Sequence, residues 1–165
     1  MSLLRLLRQR DTATVKFVMT EYVARHELHD VASDIATLEE EKRLKVEPVS
    51  TRKSDPQGQR FREYRSEGMD KGEAESLAWV KGATGELPLF ISNDGGARNG
   101  FARHRAPVGD VMDLIVEAVT SGAVQLAEVR EVASVAWDGR PNNQCRPKDY
   151  SAFDATFEQR RTRRS

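Results

Sequence analysis

The chain holds a single cysteine, Cys145, so no intramolecular disulfide can staple it. A lone thiol agrees with a reducing compartment. No apolar run approaches the roughly 20 residues that a spanning helix needs, which argues against a membrane protein. Neither charge is in excess: Lys and Arg total 26, Asp and Glu total 26, and the formal net charge is zero. That balance speaks against a globally basic nucleic-acid binder but leaves local basic patches open. No small-residue cleavage pattern of the secretory kind follows the opening MSLLRLLRQR. Its Arg5, Arg8 and Arg10, unaccompanied by any acid, are faintly like an organelle presequence. An ordinary first helix and a cytoplasmic location are the simpler expectations.

What is present is a polar chain of single-domain length: 165 residues, 32% charged and 38% hydrophobic, with a mean hydropathy of −0.63. Charge is polarised along it. Residues 21–50 carry eight acids against four bases, and residues 140–165 carry seven bases against three acids. There is no internal repeat.

Hydrophobic periodicity predicts the elements. VKFVM at 15–19 and LKVEPV at 44–49 alternate as strands do. Thr20 is expected to cap a helix through about Leu28, and Asp30 another through about Arg43. TRKSDPQGQ at 51–59, with Pro56 and Gly58, reads as a loop. Asp70-Lys71-Gly72-Glu73 has the spacing of a capping box opening a helix to about Gly82. LPLFIS at 87–92 is the most apolar run and reads as a strand buried on both faces. Helices are predicted over 97–104, 110–120 and 126–137, the second on a stripe of Val111, Leu114, Ile115, Ala118 and Val119. A short helix at 2–8 precedes everything, and QRRTRRS at the other end reads as a mobile solvated tail. Alternating strands and helices imply an α/β class with a mainly parallel sheet. Sites in such sheets lie beyond the carboxyl ends of the strands, where Asp94 stands.

Three acids draw notice by position. Glu27 takes the place seven residues after Thr20 on a stripe with Val23 and Ala24, on or near an inward face where a lone carboxylate needs a partner or a cation; taken alone, a helix fraying by that point with Glu27 in solvent is the simpler reading. Glu73 opens a helix, where capping alone would explain it. Asp94 follows the apolar strand in Asn-Asp-Gly-Gly, which turn chemistry alone would also explain. Glu75 reads as a surface acid on another face. Singly, each has an ordinary structural account. Converging, they would need cations, and hard oxygen donors suit Mg²⁺ or Mn²⁺. His26, His29 and Cys145 have no zinc spacing, and Gly95-Gly96 lacks the Lys-Ser/Thr of a P-loop.

GEAESLAW at 72–79, followed by LFISNDGGAR at 89–98, resembles the central signature of PIN-domain proteins, metal-dependent nucleases that include toxins of toxin–antitoxin pairs. VKFVMTEYVARHEL at 15–28 is similar to the family's strand and following acidic helix, and GDVMDLIVEAVTSGAV at 109–124 to its closing helix. The resemblance implies a three-layer α/β/α fold with a mainly parallel central sheet over residues 1–137, with 138–165 as a flexible basic extension. It implies Glu27, Glu73 and Asp94 as catalytic and metal-binding residues, Glu75 as a further metal ligand, and Arg98 and Lys71 on the substrate. The implied cofactor is Mg²⁺ or Mn²⁺. The implied partners are single-stranded RNA, an antitoxin protein and a second copy of the chain. Two departures stand out. The family's first strand and its Asp have no counterpart, Asp11 being the nearest acid, and Gly96 stands where many members carry a fourth acid. The expectation is an N-terminally incomplete PIN-like domain: either a ribonuclease or a catalytically degraded relative acting by binding or regulation. A third reading is an ordinary α/β domain in which all three acids are capping and surface groups.

Overall fold

The computed structural model describes residues 17–28, 32–85, 87–92, 94–137 and 152–164, with backbone alone for 132–137 and 164. The predicted helix at 2–8, together with Asp11, His29, Asp30 and Cys145, lies outside them.

The chain is mixed α/β and rich in helix. In order it forms β1 (Phe17–Thr20), a π-helical turn (Val23–Glu27), α1 (Ala32–Glu40), β2 (Leu44–Glu47), α2 (Pro56–Ser66) and α3 (Lys71–Val80). Then come β3 (Phe90–Ile91), α4 (Gly95–Arg103), β4 (Val108–Gly109), α5 (Val111–Thr120), α6 (Leu126–Trp137) and α7 (Phe153–Arg164). β1 and β2 pair in parallel, Phe17 opposite Leu44 and Thr20 opposite Glu47. β3 and β4 form a second two-stranded sheet, also parallel: Phe90 N–H donates to Pro107 O and Ser92 N–H to Gly109 O. In both sheets the described strands are short, and no described strand joins one pair to the other.

The chain divides into two compact units. One holds β1 through α3 with residues 99–107. Its core includes Ile35, Leu38, Leu44, Tyr64, Leu77, Val80 and Phe101. Phe90 stacks on Phe101 with ring centroids 3.6 Å apart. The other holds residues 91–98 with β4, α5, α6 and α7, around Met112, Ile115, Val116, Val129, Phe153 and Phe157. Burying each of these large side chains is worth about 1.5–3 kcal/mol.

Several sequence expectations are corrected. Residues 56–66 form a helix where a loop was expected to reach 59. Pro56 at its first position starts a helix rather than breaking one. Asp55 is the cap, its carboxylate accepting Gly58 N–H at 2.7 Å and the Ser50 hydroxyl. These bonds, the Ser50 bond foremost, hold the Asp55 pKa below its ordinary value. The apolar run 87–92 yields only two strand residues, half-buried, with Leu89 41% exposed. Pro88 and Pro107 lack the backbone donors that a longer ladder would use. The stripe of α5 is rotated from the expected one: Met112, Ile115, Val116 and Ala118 are the buried positions.

The segment expected as a mobile tail is helix α7. It packs on α5 and buries Phe153 and Phe157. Arg160 reaches the start of α5, where Asp110 and Asp113 form a reciprocal capping box. Its Nη2 lies 2.9 Å from Asp110 Oδ2 and its Nη1 3.2 Å from Asp113 Oδ2. A basic run read from charge alone looks solvated, but two phenylalanines at a spacing of four give it an inward face.

Candidate functional site

The carboxyl end of β1 gathers the early acids. Thr20 ends the strand instead of capping a helix, and its hydroxyl lies 3.3 Å from that of Ser76 on α3. Beyond it the chain winds as a π-helix, and Leu28 N–H reaches back five residues to Val23 O at 3.1 Å. π-turns are rare and often sit at functional sites. Ala24 is buried against the core and Glu27, though exposed as a residue, carries its carboxylate to the first turn of α3. There it occupies the space over Gly72: a Cβ on that glycine would stand 2.1 Å from Glu27 Oε1. Any side chain at 72 would contest this place, so the glycine makes room for the acid.

Around Glu27 stand Asp70, Glu73 and Glu75. Partial burial, then the charges of Asp70, Glu73 and Glu75, raise the Glu27 pKa above its ordinary value. Glu75 is 6% exposed, not the surface acid expected from its position. Its Oε2 accepts the Tyr22 N–H at 3.2 Å. Burial raises its pKa, opposed by that hydrogen bond and by Lys71. Glu73 completes the capping box foreseen in the sequence. Its N–H donates to Asp70 Oδ1 at 2.7 Å, and its Oε2 accepts the Asp70 N–H at 3.3 Å. Lys71 lies over the Tyr22 ring, Nζ 4.1 Å from the centroid, a cation–π contact.

Asp94 belongs to the other compact unit. Its Oδ1 accepts Gly96 N–H at 2.6 Å and Ala97 N–H at 3.0 Å, so it caps α4 as turn chemistry would have it. Arg98 folds back, Nη1 donating to Ser92 O at 2.7 Å. Thus Glu27, Glu73 and Glu75 share one locality with Lys71, while Asp94 and Arg98 form a local motif of their own. Among the described residues no three His, Cys, Asp or Glu side chains stand close enough to hold a metal ion together.

By chemistry the donors at α3 suit Mg²⁺ or Mn²⁺, since carboxylate oxygens are their preferred protein ligands. Mg²⁺ is often held by one or two carboxylates plus substrate phosphate oxygens. Among the described residues no closed cage is present, so Glu27 and Glu73 would offer such an ion at most two carboxylates. Two contributors escaped the sequence reading. Asp70 was read only as a cap, yet its charge acts on Glu27. Gly72 was read only as part of a Gly-Glu helix start, although a glycine in a first turn is a signal of close approach.

No protein-family model, curated protein or solved structure matches the chain. Among the described residues no helix is long and apolar enough to cross a membrane.

Proposed function

We propose that the chain is a PIN-like domain that hydrolyses single-stranded RNA with the help of Mg²⁺ or Mn²⁺. The observation that supports this reading is the Glu27 carboxylate lying against Gly72, near Glu73, with its pKa raised first by partial burial and then by the charges of Asp70, Glu73 and Glu75. Acids that repel one another are kept together at a cost, and a divalent cation offsets it. Glu27 and Glu73 would hold the ion, with Glu75 behind them fixed to the Tyr22 backbone. When bound, such an ion activates water and stabilises charge developing on a phosphodiester. Asp94 and Arg98 enter the proposal as the family resemblance implies, with an antitoxin protein and a second copy of the chain as partners.

A second reading, a catalytically degraded relative acting by binding or regulation, is favoured by a different observation. Glu73 is engaged in its own capping box, where helix stability alone accounts for it.

Isothermal titration with MnCl₂ and MgCl₂, paired with cleavage of labelled single-stranded RNA, separates the two. The nuclease reading expects Mn²⁺ heat and cleavage, both lost in Glu27→Gln. Absence of heat and of cleavage in the unaltered protein would leave the second reading.

A further inference from the structure

We infer that the loop before α2 and the adjoining side of that helix form a binding surface for the phosphate backbone of single-stranded RNA, apart from the acidic cluster. Residues 51–66 carry five bases, Arg52, Lys53, Arg60, Arg62 and Arg65, against two acids, Asp55 and Glu63. In a chain of zero net charge this is a concentrated local excess.

The fold turns that excess into one surface. The loop is laid along the helix. The Arg52 carbonyl oxygen stands where a Gly58 Cβ would be, 1.9 Å from it. Gln59 Nε2 donates to Lys53 O at 3.3 Å, and Arg62 Nη2 donates to Thr51 O at 2.7 Å. Arg65 follows Arg62 by three residues, one turn along the same side, and its Nη1 donates to Met69 O at 2.5 Å. Arg52, Lys53, Arg62 and Arg65 are all exposed.

Among the described residues these four cations have no carboxylate within ion-pair distance. Elsewhere bases meet acids: Arg25 with Glu21, Lys45 with Glu47, Arg130 with Asp154, Arg160 with Asp110 and Asp113, Arg161 with Glu158. The Asp55 carboxylate, which feels Arg52, is taken up by Ser50 and the helix cap. Two of the arginines already give a donor to backbone carbonyls, which orders their guanidinium groups at exposed positions.

The kind of partner follows from what the surface does not offer. Protein interfaces are built around an apolar core. Among the described residues the exposed large hydrophobic ones are Val18 and Leu89, neither in this segment. A cationic surface without apolar anchors suits a ligand held through repeated phosphates, and guanidinium forks match them. A single strand presents those phosphates flexibly enough to follow a loop and a helix side. The inference does not need the hydrolysis proposed above, and binding is read with that chemistry disabled.

The test is fluorescence anisotropy of the full chain with labelled oligouridylate in EDTA, across a salt series. Four phosphate contacts predict a slope of log affinity on log salt of about −3 for single strands. Arg52→Gln/Lys53→Gln, at two exposed positions, should lower affinity roughly 10- to 100-fold at about 50 mM salt and reduce the slope by about 1.4. Arg62→Lys/Arg65→Lys keeps the charge and should retain most of the binding. Arg161→Gln/Arg163→Gln should leave it within about twofold, by the same contact count. No binding by the unaltered protein, or an unchanged slope in the first variant, would overturn the inference. So would competition by polyglutamate or by anionic phosphatidylserine vesicles as effective as that of RNA at equal charge, which would point to a protein or a membrane. Loss of RNA cleavage with binding intact would count against the hydrolytic reading alone.

Discussion

Replacing Gly72 by alanine should separate stability from cation binding. The new Cβ would stand 2.1 Å from Glu27 Oε1, 2.8 Å from its Cδ and 3.1 Å from Oε2. Ordinary contact begins near 3.4 Å, so the nearest oxygen must retreat by 3.4 − 2.1 = 1.3 Å. The obstacle is the far end of a flexible, exposed side chain, so rotation of Glu27 supplies that retreat at little cost. Against it stands the helix gain of alanine over glycine, about 0.5–1 kcal/mol. The move also takes Glu27 away from Asp70, Glu73 and Glu75, relieving repulsion. The expected outcome in urea unfolding is a protein as stable as the original or more so, by up to about 1 kcal/mol. The Glu27 carboxyl, followed by carbon-13 resonance through a pH titration, should move toward the ordinary glutamate range. Mn²⁺ binding should weaken at the same time. A loss of more than about 2 kcal/mol would refute the reasoning, since it would mean that Glu27 is fixed over the glycine and cannot swing out. An unmoved carboxyl resonance would do the same.

Gly58→Ala makes the opposite case. Its Cβ would meet the Arg52 backbone oxygen at 1.9 Å, and backbone cannot rotate away. A loss of about 1–3 kcal/mol in chemical denaturation is expected, and equal stability would contradict the close loop–helix approach. Arg160→Met leaves the Asp110 carboxylate, its side chain 5% exposed, without its cation. The full penalty for orphaning a buried charge, about 3–5 kcal/mol, is discounted because Arg160 is 29% exposed and Asp110 keeps its cap bonds. A loss of about 1–3 kcal/mol in thermal unfolding is expected, and a second substitution, Asp110→Asn, should add little to it. Glu75 and Glu27 have pKa values raised in the folded state. The folded protein therefore binds more protons than the unfolded chain between the two values. Their contribution is most favourable below the unfolded value of about 4.3 and is lost as pH rises through the folded value. Glu75→Gln keeps an acceptor for Tyr22 and removes the charge. It should raise stability at pH 7 and flatten the slope on the acid side, at most about 1.4 kcal/mol per pH unit for one proton. A steeper slope would reverse the assignment.

What was legible in the sequence was whatever local chemistry decides. The box at Asp70 and Glu73 follows from two side chains three residues apart, and it forms as read. So do the helices over Val111–Thr120 and Leu126–Trp137, where periodic apolar residues leave little choice. What was hidden depends on partners distant in sequence. The strand at 87–92 shrinks because its neighbour β4 is two residues long. Glu75 is buried because the Tyr22 backbone comes to it across 53 positions. Spacing left Glu27 between an inward face and solvent, and its approach to Gly72 depends on a π-turn that no spacing announces. Helix α2 was obscured by composition: mostly polar and opened by a proline, it looks like a loop until Asp55 is seen as its cap.

The partition of the chain into two compact units also supplies its own reporters. There are two tryptophans in the whole sequence; Trp79 falls in one unit and Trp137 in the other. Emission from each, isolated by changing the other to phenylalanine, follows one unit at a time. Coincident melting curves would mean that the halves lose structure as one cooperative body, and a gap between them would expose a half-folded species.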